Sequence, residues 1–157
     1  MLTALVAVSL LRQTDAKVSG TPTTAKLAGI WQRSNEIAAG WNECYAFFPR
    51  GKVIFHTNQM DPEKRLIDRT GVWTLLGNRL TVRFTKETVI VGGKLVRGSG
   101  DDGDSDIQGG HVTSRSLKHP VMRTMVVSSI TRDHSYPSAK FGGVRYWRMR
   151  SDAADYQ

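Results

Sequence analysis

Cysteine is almost absent from this 157-residue sequence, which contains only Cys44. A single thiol cannot form a disulfide within the chain, so a disulfide-stapled miniprotein is excluded, as is a zinc site that needs two cysteines from one chain. Cys44 begins the apolar run of residues 44–48, which supplies neither a general base nor an orienting group. That setting favours a buried, inert thiol over a nucleophile.

Long apolar runs are also scarce, and the stretch of residues 2–11 is too short to span a bilayer, which takes about 20 residues. A polar stretch with small residues follows it up to Ala16, a layout typical of a secretory signal peptide, although no Lys or Arg precedes the apolar run. The alternative is an ordinary helix of the protein. We expect a signal peptide over residues 1–16, a flexible leader over 17–26, one folded domain over 27–150 and a tail over 151–157. The mature chain is then exported, periplasmic or secreted, with no integral membrane span.

Acidic residues are in the minority, with 14 Asp and Glu against 22 Lys and Arg, which gives a formal net charge of +8. This balance favours encounters with anionic partners such as nucleic acid, acidic lipid or an acidic protein. The positive charges are scattered, so a solvated basic surface without a dedicated partner is the simpler interpretation. Nucleic acid is the less favoured partner, because Tyr45, Phe47 and Phe84 fall on the apolar parity of their strands and are expected in the core rather than stacked on bases.

Helical periodicity is confined to one short candidate at residues 34–39, whereas alternation of apolar and polar residues is widespread. Leu80, Val82 and Phe84 alternate with polar residues, which indicates a strand with one buried face. Hairpin turns are predicted at residues 49–51, 77–78 and 92–93, and a long loop at residues 98–110. Strands are predicted again at residues 122–131 and 143–149. The pattern predicts an all-β fold of about eight short antiparallel strands joined by hairpins, either an up-and-down barrel or a sandwich.

Three short motifs occur in order: residues 29–31 (Gly-Ile-Trp), 71–80 (Gly-Val-Trp-Thr-Leu-Leu-Gly-Asn-Arg-Leu) and 145–148 (Arg-Tyr-Trp-Arg). This order resembles the lipocalin-like small β-barrel domains of bacterial envelope proteins, over residues 27–149. The resemblance implies that Trp31 closes one end of the barrel with Arg145 or Arg148 stacked on it, and it names no ligand. Met149 stands where related sequences often carry a second cysteine, and the Asp-rich loop has no counterpart in the family pattern.

The Asp-rich loop places Asp102, Asp104 and Asp106 at alternate positions, as at the start of a calcium-binding loop. The following positions of such a loop hold Gly and an acidic ligand, whereas this sequence has Ile107 and Thr113 there. A solvated loop is therefore the preferred interpretation, calcium is a weak candidate, and no cofactor is predicted.

A candidate anion-binding loop comprises His111, Arg115, Lys118 and His119. The histidines of the chain show no zinc-binding spacing and the serines no nucleophile-elbow context. These observations favour a non-enzymatic, exported binding or interaction module, for an apolar small molecule in the barrel mouth or for an anionic envelope partner. The alternatives are a basic, OB-like nucleic-acid-binding barrel, and an enzyme or enzyme inhibitor that uses the segment from His111 to His119.

Overall fold

The structure is a computed structural model that describes residues 20–35, 42–58, 65–97, 105–133 and 136–155. The expected signal peptide lies outside the described residues, as do Asp102, Asp104 and most of the candidate helix at residues 34–39.

Nine described strands form one antiparallel sheet, which confirms the all-β, up-and-down class with nine strands instead of about eight. Their spatial order is β6-β5-β4-β3-β2-β1-β9-β8-β7, so most neighbours in sequence are also neighbours in the sheet. A short helix, α1, precedes β1, and a 3₁₀ turn follows β9. The bounds are α1 Thr24–Leu27, β1 Gly29–Gln32, β2 Cys44–Phe47, β3 Lys52–His56, β4 Leu66–Leu76, β5 Arg79–Arg97, β6 Ser105–Val126, β7 Thr131–Asp133, β8 Tyr136–Phe141, β9 Val144–Arg150 and the 3₁₀ turn Ala153–Asp155.

The sheet curves back on itself, but the described strands do not close into the predicted barrel. The terminal strands are β6 and β7. Among the described residues, backbone contact between the two sides of the sheet includes an isolated bridge between Val127 and Phe141, flanked by two backbone hydrogen bonds. The N–H of Ser128 donates to the carbonyl of Lys140 at 2.9 Å, and that of Gly142 donates to the carbonyl of Val126 at 3.0 Å.

Two of the three predicted hairpins are confirmed. The turn at residues 49–51 joins β2 to β3, and the turn at residues 77–78 joins β4 to β5 with Gly77 at φ 59°. The third prediction is wrong, because Gly92 and Gly93 lie inside the continuous strand β5. A Cβ atom on Gly93 would lie 2.6 Å from the backbone nitrogen of Gly110 on β6, so glycine here permits a close approach of two strands.

The predicted loop at residues 98–110 is wrong in its second part, because β6 begins at Ser105 and includes Gly109 and Gly110. Val89 is the last residue of β5 that pairs with β4, and beyond it β5 pairs with β6 alone among the described strands. The remaining residues of this pair, 90–97 and 105–112, form a two-stranded ribbon that extends past the rest of the described sheet.

The concave face of the sheet is filled by large side chains. The alternation predicted for β5 is confirmed, since Leu80, Val82 and Phe84 are fully buried. Aromatic rings pack against one another, with Tyr45 stacked on Phe47 at 5.4 Å between ring centroids. Burying each such side chain contributes roughly 1.5–3 kcal/mol. The cluster comprises Leu27, Trp31, Tyr45, Phe47, Val53, Phe55, Trp73, Leu80, Val82, Phe84, Val127, Ala139, Phe141 and Tyr146.

Helix α1 covers one end of this core. Thr23 caps it by accepting a hydrogen bond from the N–H of Lys26 at 3.3 Å, and Leu27 is fully buried. Gly20 pairs with Ile130 in an isolated bridge. Gly20, in the expected leader, is therefore held to the folded domain by backbone hydrogen bonds.

Candidate functional site

Strands β4, β5 and β6 present three cross-strand rows on the convex face of the sheet. Alternation along each strand sends one set of side chains into the core and the other outward. The turn at residues 77–78 fixes the register between β4 and β5. We call these rows, together with Lys52 beside Val72, the outer patch: Leu76–Arg79–Val126, Thr74–Thr81–Thr124 and Val72–Arg83–Met122.

The outer patch combines exposed apolar side chains with positive charge. Leu76 is 83% exposed, Met122 63%, Val126 58% and Val72 51%. These four side chains lie within three neighbouring rows, with arginine and threonine side chains between them. Arg79 lies between Leu76 and Val126 in its row. None of the ten residues of the outer patch is acidic, so the patch presents an amphipathic surface of uniformly positive charge.

A polar group of side chains lies at one end of the sheet, between β1, β2 and β9. The hydroxyl of Tyr146 donates to Oε1 of Glu43 at 2.6 Å, and Arg33 Nη1 lies 3.9 Å from Oε2 of the same carboxylate. Burial and this hydrogen bond raise the pKa of Tyr146. A cavity of about 160 Å³ opens beside them, lined by Arg33, Ser34, Asn42, Glu43 and Asn58.

The predicted anion-binding loop is not a loop, because all four of its residues lie on strand β6. Arg115 donates from Nε and Nη2 to Oε1 of Glu87, at 3.0 and 2.9 Å. Lys118 and His119 fall where the pairing of β5 and β6 shifts register, and both are exposed. His111 is exposed as well, and its separation of eight positions from His119 corresponds to roughly 25 Å of extended strand. The structure therefore does not bring the two histidines together.

The three residues expected to close a barrel, Trp31, Arg145 and Arg148, each make different contacts. Trp31 is fully buried, and its Nε1 donates to the carbonyl of Leu27 at 2.8 Å. Arg148 lies opposite Trp31 in the pairing of β1 with β9, and its Nη1 donates to the carbonyl of Lys26 at 3.0 Å. Arg145 lies over the ring of Trp147, at 6.0 Å from the centroid.

Cys44 and Asp106 are the remaining described residues that the sequence singled out. Cys44 is a free, buried thiol whose pKa burial raises to about 12. Asp106 is exposed, and its Oδ1 accepts a hydrogen bond from the N–H of Ile107 at 2.7 Å. Over the described ranges, no group of three or more His, Cys, Asp or Glu side chains is placed to hold a metal ion.

In the part of the chain that the structure describes, no helix is both long and apolar enough to cross a membrane. Comparison with known proteins finds no matching family model, and neither a curated protein nor a solved structure matches the chain. The resemblance to lipocalin-like barrels therefore stays a prediction.

Proposed function

We propose that the chain is a non-enzymatic interaction module that docks through its outer patch on an anionic lipid surface. The observation that carries this proposal is the composition of the patch, in which Lys52, Arg79 and Arg83 lie among four exposed apolar side chains without any carboxylate. The signal peptide expected over residues 1–16 is consistent with a module that meets the lipid surfaces of a cell envelope.

The chemistry of the outer patch suits a bilayer surface. Each Lys or Arg near an anionic leaflet contributes about 1 kcal/mol, so the three cations together contribute about 3 kcal/mol. Leu76 stands next to a hairpin turn and is the most exposed of the large apolar side chains, so it can enter the interfacial region of the lipid. The patch lies on one face of a three-stranded segment, and a lipid surface needs no matching groove to receive it.

The other partners considered fit less well. An apolar ligand inside the sheet competes with core rings that already pack on each other, such as Phe47 against Trp73 at 5.1 Å between centroids. Nucleic acid would bind the arginines, but it offers little to four exposed aliphatic side chains. The rings of Tyr45, Phe47 and Phe84 are buried and cannot stack on bases.

The test is co-sedimentation of the protein with lipid vesicles. We expect binding to vesicles that contain phosphatidylglycerol, weak binding to pure phosphatidylcholine, and release at 0.5 M salt because the electrostatic part is screened. The double variant R79Q/R83Q loses about 2 kcal/mol and binds roughly 30-fold more weakly. The variant L76S loses about 2 kcal/mol of apolar burial and weakens binding to a similar extent.

A matched control is the double variant R97Q/R132Q, which removes the same charge from exposed positions outside the outer patch. It should retain binding within about threefold. Equal loss in both double variants would show that only net charge matters. Absence of binding to anionic vesicles, with capture of an acidic protein instead, would replace the lipid surface by a protein partner.

A further inference from the structure

Strand β6 ends the sheet on one side, and its two halves differ as edges. In the second half, Lys118 and Pro120 coincide with the register shift between β5 and β6. Lysine, proline and irregular pairing are common means of keeping an edge strand from pairing with another chain. The first half pairs regularly with β5, and residues 107–114 contain no Pro, Lys, Arg, Asp or Glu. None of the described strands pairs with the outer side of residues 105–116, which we call the open edge.

Arg65 covers the corresponding edge of β5, on the other side of the ribbon. The N–H of Ile90 donates to the carbonyl of Arg65 at 2.8 Å. The guanidinium of Arg65 donates in turn to the carbonyl of Ile90 at 3.5 Å and to that of Gly92. The chain therefore satisfies part of this edge of the ribbon with its own groups. The backbone groups of Ile90 point to Arg65 and thus away from β6.

The direction of the Ile90 backbone fixes the direction of the backbone in β6. Residues opposite each other in an antiparallel pair either exchange both hydrogen bonds or both point their groups away. Ile90 pairs with Val112, so the N–H and C=O groups of Val112 point to the open edge. Alternation along the strand gives Gly110 and Ser114 the same direction. The open edge therefore presents backbone donors and acceptors to a further strand.

We propose that the open edge pairs antiparallel with the same edge of a second copy of this chain, about a two-fold axis at Val112. Charge favours this occupant, because exposed Asp106 lies at one end of the edge and exposed Lys118 just beyond the other. Antiparallel pairing about Val112 brings Asp106 of each copy to the level of Lys118 of the other. The centre, from Gly110 to Ser114, carries no Lys, Arg, Asp or Glu, so no like charges meet there.

This pairing also orients the outer patches of the two copies. Directly paired residues of antiparallel strands point to the same face, so both convex faces lie on one side of the joined sheet. The dimer therefore presents two outer patches to the same surface, and docking of both strengthens attachment. The pairing does not depend on lipid docking, because the oligomeric state is measured without lipid.

The test is sedimentation equilibrium of the whole protein without lipid. An edge contact is small for a specific interface, so we expect a reversible dimer with a Kd on the order of 10 μM. The mass should then rise with concentration from 17.4 kDa towards twice that value. V112P removes a donor that faces the open edge and no bond to β5, and the loss of two symmetric hydrogen bonds should weaken the dimer about 30-fold. V112A keeps the donor and should dimerise within about fivefold of the parent.

Charge exchange tests the orientation of the pair. D106K should weaken the dimer, because two cations then meet at each end. D106K/K118D exchanges the two charges, restores opposite signs at both ends and should recover the dimer. D106K/K140D has the same net charge, but Lys140 lies on β8, so this control should stay as weak as D106K. Equal recovery in both double variants would show that only net charge matters and would contradict the antiparallel pairing.

Hydrogen exchange detects the same pairing in the unmodified protein and needs no variant to fold. The amides of Gly110, Val112 and Ser114 face the open edge and should gain protection as the concentration rises through the Kd. Those at positions 111 and 113 face β5 and should be protected throughout. The proposal is overturned if the chain stays monomeric, if the protection appears on another strand, or if V112P dimerises as V112A does.

Discussion

Gly71 is required for steric reasons, and the substitution Gly71→Ala should be strongly destabilising. Gly71 lies buried at a register shift of β4, between Val53 on β3 and Phe84 on β5. A Cβ atom here would lie 2.0 Å from the carbonyl oxygen and 2.7 Å from the carbonyl carbon of Arg83. Both are backbone atoms, so relief requires β4 and β5 to move apart by about 1 Å. Overpacking costs about 1–3 kcal/mol and each weakened ladder hydrogen bond about 1 kcal/mol, giving a total of about 3–4 kcal/mol.

Urea denaturation measures this loss in the free energy of unfolding. In thermal unfolding, the melting temperature should fall by about 10 °C for a chain of this length. Gly77→Ala is the matched control, because a Cβ on Gly77 meets no atom within 4 Å while its φ of 59° is left-handed. That strain costs about 1 kcal/mol. The steric argument is refuted if Gly71→Ala destabilises the protein less than Gly77→Ala does.

Two further predictions concern buried titratable groups. Burial raises the pKa of both Tyr45 and Tyr146 in the folded state, so above pH 10 the unfolded chain releases tyrosine protons that the folded chain keeps. The contribution of each tyrosine to the free energy of unfolding is therefore fully present below pH 10 and falls above it, by up to about 1.4 kcal/mol per pH unit. In the variant Tyr146→Phe, the urea midpoint should decline less steeply between pH 10 and 11.5. An unchanged slope would contradict this prediction. The thiol of Cys44, with its pKa raised to about 12 by burial, should react with a thiol reagent at pH 8 roughly a thousandfold more slowly in the native protein than in urea, and rates within tenfold of each other would show that it is accessible.

The fold class follows from the sequence because alternation reports which face of a strand is buried. Leu80, Val82 and Phe84 are predicted and found in the core for this reason. The pair Gly92–Gly93 is misread because left-handed glycines serve both a tight turn and a close approach of two strands. Only the facing strand, with Gly110 within contact distance, distinguishes these cases.

The outer patch could not be predicted because it depends on register between strands. Arg79 and Arg83 alternate with Leu80 and Val82 in the sequence, so their outward direction is predictable, but their exposed apolar neighbours belong to β4 and β6. Arg69, Glu87 and Arg115 form one cross-strand row only because the β4–β5 pair and the β5–β6 pair both shift register next to it. A one-residue irregularity moves side chains to the other face, and local alternation does not reveal it.

The most direct test of lipid docking places a reporter at Leu76 in the outer patch. The variant L76C can be labelled with a polarity-sensitive fluorophore, because the native thiol of Cys44 is buried and unreactive at neutral pH. On titration with vesicles that contain phosphatidylglycerol, we expect a blue shift of its emission that 0.5 M salt reverses, and no shift for the same label at R132C. An unchanged emission at residue 76, or an equal shift at residue 132, would contradict docking through the outer patch.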